Sequence, residues 1–400
     1  MKRTIGVILA AGAAVALADP VGCDAQANDQ SLLQREDSAG VQIVEALRPL
    51  WGDSSLWRIN PAPLLDLAVS GSGPNHEFGH VGGMVRFADG SLVVADATWL
   101  QIRLYSPEGD FVRATGRNGE GPGEFSRGIE QMVGAASDSV WVLDSDGRVS
   151  VFGPDLGLGR TFNLLSNASS IHDLGDGSMA VQYVSPFWTK DAIGAIRNPT
   201  VLWRFNVEGT RLDSLAVTEG YDEYVVQFRD GTTASVSPLF RKEAQVATHT
   251  GRLFVGNAEF MEVDERTRAG DLVRILRIPD YPLSLSRSAL RAEREAYLGG
   301  RSSSLLREAA ERTPASGTRP AYSRMIVDPS GAVWLQLYRG ESEAEEPVRW
   351  LVLAADGTWL GTVGLPDRFR IVDIEMDAVL GVWYDELDVQ HPQVLRLERR

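Results

Sequence analysis

The chain has 400 residues, 44% of them apolar, and a net charge of −15 from 39 basic and 54 acidic side chains. This is enough apolar material for a large core, and the acidic balance disfavours nucleic acid and anionic membrane as non-specific partners. Cys23 is the only cysteine, which excludes an intramolecular disulfide framework and a paired-cysteine zinc site.

Met1-Lys2-Arg3 is a basic start, Thr4–Ala18 an apolar, alanine-rich run, and Ala25-Gln26-Ala27 a small-x-small cleavage site. Together they predict a secretory signal peptide over residues 1–27 and a secreted or periplasmic protein. The apolar run is short for a membrane span, and no later stretch is long enough. The alternative is a lipoprotein signal, with Cys23 acylated and retained as the anchor. Residues 28–55 read as a flexible leader. Leu56–Leu67 carries Pro61 and Pro63 and is at best an edge strand.

From Phe78 the chain repeats a strand–turn–strand plan. Met84–Phe87, Ser91–Ala95, Gln101–Tyr105 and Asp110–Thr115 read as four antiparallel strands, with an Asp89-Gly90 hairpin between the first two. The connector Gly121-Pro122-Gly123-Glu124-Phe125 has a near copy at Gly71–Phe78, and the spacing suits one propeller blade. A second unit covers Ile129–Leu165. A third starts at Ile171 with an insertion over Ser185–Pro199. A fourth starts near Phe240, with its third strand at Phe260–Val263. Residues 285–313 lose alternation and predict an inserted helical hairpin, with Ser286 and Ser302 as N-caps. The fifth unit runs from Arg324 to Val363. The last, Ile371–Leu397, lacks a fourth strand. The fold class that follows is all-β: a six-bladed β-propeller over 56–400, with the N-terminal strand completing the last blade and covering the open edge.

The 121–125 connector, the Asp328–Gly331 and Ala355–Gly361 turns, Met325-Ile326-Val327-Asp328 after the helices and the tail Val379–Val389 carry a resemblance. The chain resembles NHL-like six-bladed β-propellers and, more closely, a group of exported, uncharacterised bacterial propeller proteins. The resemblance covers about 60–400 and implies the fold rather than a reaction. Some six-bladed propellers are calcium-dependent lactonases or phosphotriesterases, with the metal held in the channel by Glu, Asp and Asn.

Motifs for other chemistry fail on their own spacing. The glycine run Gly116–Gly123 lacks the Lys-Ser/Thr of a phosphate loop and precedes a strand. Asp144-Ser145-Asp146-Gly147 begins like a calcium loop, but Arg148 interrupts it. No Gly-x-Ser-x-Gly or His-x-x-x-His occurs. No metal ligand set is assigned; calcium has no support from asparagines on the inner strands. The funnel candidates for ligand binding are His80, Arg127, Glu130, His172, Asp173, Arg241, Arg324, Arg370 and Asp373. Several arginines near one axis oppose a lone cation and suit an anionic ligand, or pairing with the neighbouring carboxylates. The expectation is a monomeric module that binds a small anion or a protein. The alternative is a hydrolase or lyase with its site in the central funnel, and a third option is a surface-anchored sensor. Trp188, Tyr297 and Trp383 crowd the insertions and tail, where the helical hairpin is either a lid, a partner surface or simple packing.

Overall fold

The computed structural model describes residues 31–52, 54–165, 167–184, 193–299 and 304–399. The segment 1–27, Cys23 and Trp188 lie outside them. The body Leu32–Arg400 is an all-β, propeller-like assembly of six sheets, antiparallel but for one parallel pairing at the edge of the fourth, with two helices inserted between the fourth and fifth.

Sheets 1 and 2 are four-stranded meanders over Val81–Thr115 and Ile129–Asn163. Sheet 3 has five strands, because Gly194–Phe205 and Arg211–Gln227 are a long hairpin and Thr233–Val236 adds to its outer edge. Residues 194–199, expected within an insertion, are therefore strand: they pair with 219–225. Sheet 4 spans Gln245–Arg277. Its third strand is Glu262–Thr267 rather than Phe260–Val263. Sheet 5 spans Tyr322–Gly364, and sheet 6 spans Phe369–Glu398 with Arg58–Asp66 as its outer strand. That strand tolerates Pro61 and Pro63 because one of its sides faces no neighbour.

The hairpin turns repeat one device. Asp89 Oδ1 accepts from the Ser91 N–H and hydroxyl, and Asp176–Ser178 and Asp328–Ser330 repeat the contact. Gly90 between them sits at φ 90°, where a side chain would be strained. The first strand of each sheet touches the first strand of the next, and Phe369–Ile374 of sheet 6 touches Val81–Arg86 of sheet 1. We call these six the inner strands. Apolar seams fill the space between successive sheets, for example Phe125, Ile129, Met132 and Phe152 between sheets 1 and 2, and Leu67, Met84, Leu380 and Val394 between sheets 6 and 1. Each fully buried Val, Leu, Ile, Phe or Met contributes roughly 1.5–3 kcal/mol. The seam between sheets 3 and 4 is the thinnest. Ion pairs cross beside it: Arg268 to Asp176 at 3.3 Å and Arg197 to Glu259 at 3.1 Å.

The flexible leader expected over 28–55 is corrected. Leu33–Ser38 and Val41–Ala46 form a hairpin, and Gln42–Glu45 pairs in parallel with Arg274–Arg277 at the edge of sheet 4. The chain continues along sheet 5, where the Leu50 and Trp51 N–H groups donate to the carbonyls of Trp359 and Leu360, both at 2.8 Å. It then enters sheet 6 at Arg58. This strap crosses three sheets and is pinned by a tryptophan cluster: Trp57 lies 5.4 Å from Trp51 and 5.6 Å from Trp334 between ring centroids.

The helical insertion forms as expected, as α1 (Arg287–Gly299) and α2 (Ser304–Arg312). Ser286 caps α1, its hydroxyl accepting the Ala289 N–H at 3.0 Å. Tyr297 of α1 packs with Leu239, Phe240 and Ala310, and its hydroxyl donates to the Ser237 carbonyl at 2.6 Å. No described helix is long and apolar enough to cross a membrane.

Candidate functional site

Hairpin register aligns the inner strands with one another. Gly83 pairs with Ala95, Gln131 with Leu143, Ser170 with Gln182, Gln245 with Gly256, Arg324 with Gln336 and Arg370 with Val382. In each sheet that partner lies three or four residues beyond the start of the second strand, so the six first-named residues hold closely corresponding positions. Four sheets place glycine, glutamine or serine there. Sheets 5 and 6, whose inner strands touch, place arginines.

Backbone irregularity fixes these two guanidinium groups. The register of sheet 6 shifts between Ile371 and Asp373, which leaves Val372 as a bulge. A bulge re-aims local backbone groups. Here the carbonyls of Ile371 and Val372 both accept from Arg324, the second at 3.1 Å. Sheet 1 bulges between Val81 and Gly83, and the Val81 carbonyl accepts from Arg370 at 2.8 Å. Arg370 also reaches the Tyr384 hydroxyl at 3.4 Å. Neither arginine has a carboxylate within 4 Å among the described residues. Burial and the repulsion of Arg370 lower the Arg324 pKa to about 10, while Asp373 opposes the shift. Two like charges are thus held by neutral carbonyls, with the Asp373 carboxyl as the opposing charge beside Arg324 and no ion pair to either arginine among the described residues.

They open into a cleft of about 760 Å³ lined by Ser323, Gln336, Arg339, Glu345, Glu346, Asp367, Arg368 and Tyr384 as well. Arg339 is satisfied by the Glu346 carbonyl, and Arg368 by the Tyr384 and Asp385 carbonyls and Asp388. The outer wall is held by α1. Buried Glu293 accepts from the N–H groups of Glu341 and Ser342, each at 2.9 Å, and from the Ser342 hydroxyl at 2.7 Å. The acidic loop that flanks the cleft is thereby fastened to the helical insertion.

The other expected site residues divide. Asp373 lies beside Arg324, and its surroundings push its carboxyl up to about 6, chiefly through desolvation. Arg127 pairs with Asp146, not with Glu130, which instead accepts the Ser145 hydroxyl at 2.5 Å. Arg241 pairs with Glu243 at 2.8 Å and lies over the Tyr221 ring. These charges neutralise one another locally. His80 is exposed, and its backbone rather than its ring is bonded, to Asp96 and Ala97. Asp173 is raised by desolvation and accepts the Gly175 N–H. His172 contacts the Ser170 hydroxyl at 2.9 Å, and burial lowers its pKa to about 4. The site residues outside the expected set are Ser323, Gln336, Arg339, Glu345, Glu346, Asp367, Arg368 and Tyr384. Gln336 could have been found by aligning the hairpins, since it is the register partner of Arg324. Among the described residues no group of three or more His, Cys, Asp or Glu is placed to hold a metal ion.

No protein-family model matches the chain. No curated protein matches it either. Among solved structures it is similar to a Bacteroides fragilis protein described as exported, at 10% identity, covering 90% of this chain and 99% of that one with a TM-score of 0.54. It is also similar to a member of the DUF4221 family from Bacteroides vulgatus, at 10% identity, 86% and 99% coverage and a TM-score of 0.48. Streptogramin B lyase matches at 10% identity, 86% and 100% coverage and a TM-score of 0.42. The likeness at this identity is one of fold.

Proposed function

We propose that this chain is an exported binding module for a small organic anion, built as a six-bladed β-propeller in which Arg58–Asp66 completes the last blade. The observation that carries the reading is the Arg324–Arg370 pair. Two adjacent guanidinium groups, anchored on carbonyls and without an ion pair among the described residues, face a cleft of ligand size. An unpaired, partly desolvated charge pair is costly unless something answers it, and a carboxylate or phosphate oxygen pair matches guanidinium geometry. Gln336, Ser323 and the Tyr384 hydroxyl supply neutral hydrogen-bonding groups beside it. Export rests on the signal-peptide pattern of residues 1–27.

Calorimetric titration of residues 28–400 with succinate, citrate and inorganic phosphate tests this. At least one should bind, and Arg370→Gln should weaken it by ~10–100-fold, the worth of a hydrogen bond to a charged group. A parent protein that binds none of these anions, or an Arg370→Gln variant that binds as tightly, would overturn the reading.

A second reading, a hydrolase, is favoured by the Ser170–His172 contact. Against it, a histidine with a pKa lowered to about 4 is a weak base for serine. No carboxylate orients its ring among the described residues.

A further inference from the structure

The cleft that holds the arginine pair also carries free charge of the opposite sign, and this bears on the class of ligand. The inference rests on the anion-binding reading of the same site. Arg324 and Arg370 are half-buried, whereas Glu345, Glu346 and Asp367 are exposed on the outer part of the lining. None of these three carboxylates makes an ion pair among the described residues. Opposite charges in one open cleft would ordinarily collapse onto one another. Here they do not, because each nearby arginine is already committed. Arg324 and Arg370 are tied inward to carbonyls of sheets 6 and 1, Arg339 to the Glu346 carbonyl, and Arg368 to two carbonyls and Asp388. The result is a polarised cleft, cationic where it is deeper and anionic where it is open, with the two ends held apart by backbone.

We infer that the ligand is dipolar: a zwitterion of the amino-acid or short-peptide class, whose carboxylate meets Arg324 and Arg370 and whose ammonium group meets Glu345, Glu346 and Asp367. A simple dianion would still bind at the inner end, but less tightly than a zwitterion, because the outer carboxylates repel its second charge. A cleft of about 760 Å³ has room for several peptide units, and the separation of the two charges in the ligand then becomes the selective property.

The experiment is a titration of residues 28–400 with glycine oligomers of one to four residues, their N-acetylated forms, their C-terminal amides and succinate. One free oligomer should bind best. Its amide should lose ~10–100-fold by removal of the charge-assisted contact to the arginines. Its N-acetylated form should lose up to ~5-fold, the range of an exposed ion pair. The triple variant Glu345→Gln/Glu346→Gln/Asp367→Asn, at three exposed positions, should erase the difference between free and N-acetylated oligomer while leaving succinate binding no weaker. If free and N-acetylated oligomers bind alike to the parent protein, the dipolar inference falls and the anion reading stands. If succinate binds and no oligomer does, the inference falls in the same way. If neither succinate nor any oligomer binds, both fall together.

Discussion

His172 shows what enclosure does to a single side chain. An unfolded histidine titrates near 6.5, whereas the folded chain keeps His172 neutral down to about 4. Between those values the unfolded chain binds the extra proton, so this residue makes stability fall as pH drops from about 6.5 toward 4. Removing it by His172→Gln should make the melting temperature of the variant, relative to the parent, rise as pH is lowered from 7 to 4.5. A difference that stays flat over that range would mean that the folded chain protonates His172 as readily as the unfolded one. Glu293 is the opposite case, a buried carboxylate with a full set of donors. Glu293→Gln replaces an acceptor by an amide that must turn a donor toward N–H groups, at a cost of about 1–3 kcal/mol. Beyond the lowered stability, hydrogen exchange should quicken at Glu341 and Ser342, whose N–H groups it holds. Unchanged exchange there would separate α1 from the cleft wall.

Elements differ in how plainly their residues announce them. The strand–turn–strand units are legible because Asp-Gly turns and period-two apolar runs agree on one answer. The helical insertion is legible because Ser286 and the loss of alternation mark it. The strap is not. Leu33–Ser38 is an exposed edge strand with almost nothing buried, so its sequence, LQREDS, shows no alternation. Its turn, Ala39-Gly40, takes positive φ at both residues, and alanine is a poor advertisement for that geometry. Glu262–Thr267 hides for a different reason: Glu265 is buried inside the strand, answered by Arg274 at 2.5 Å. The candidate site was half legible. Arg324 and Arg370 stand out as arginines on inner strands, but two one-residue bulges, in sheets 6 and 1, decide that they reach carbonyls, and hydropathy carries no trace of a bulge. The strap also yields a test. Trp51 packs on Gly361, where an added Cβ would meet its ring at 2.6 Å. Trp51→Ala should cost about 3–5 kcal/mol in chemical denaturation, and deletion of 28–67 should lower the melting temperature further. A Trp51→Ala variant as stable as the parent would mean that the strap merely rests on the sheets.

At the scale of the whole molecule, each sheet leans on its two neighbours through apolar seams, and the seam between sheets 3 and 4 leans most on ion pairs. The strap adds a second kind of tie, between distant parts of the chain. Glu45 binds Arg277, 232 positions later, and Arg58 pairs with Glu398. Contacts this far apart in sequence slow folding, because a long loop must close before they repay its entropy. They also impose an order in time. Arg58–Asp66 leaves the ribosome early, yet it has no partner strand until Gln390–Glu398 has been synthesised. A segment made long before its partner strand can thus be seated only after that partner. This arrangement works as a built-in delay, leaving sheet 6 without its outer strand until Gln390–Glu398 has been delivered.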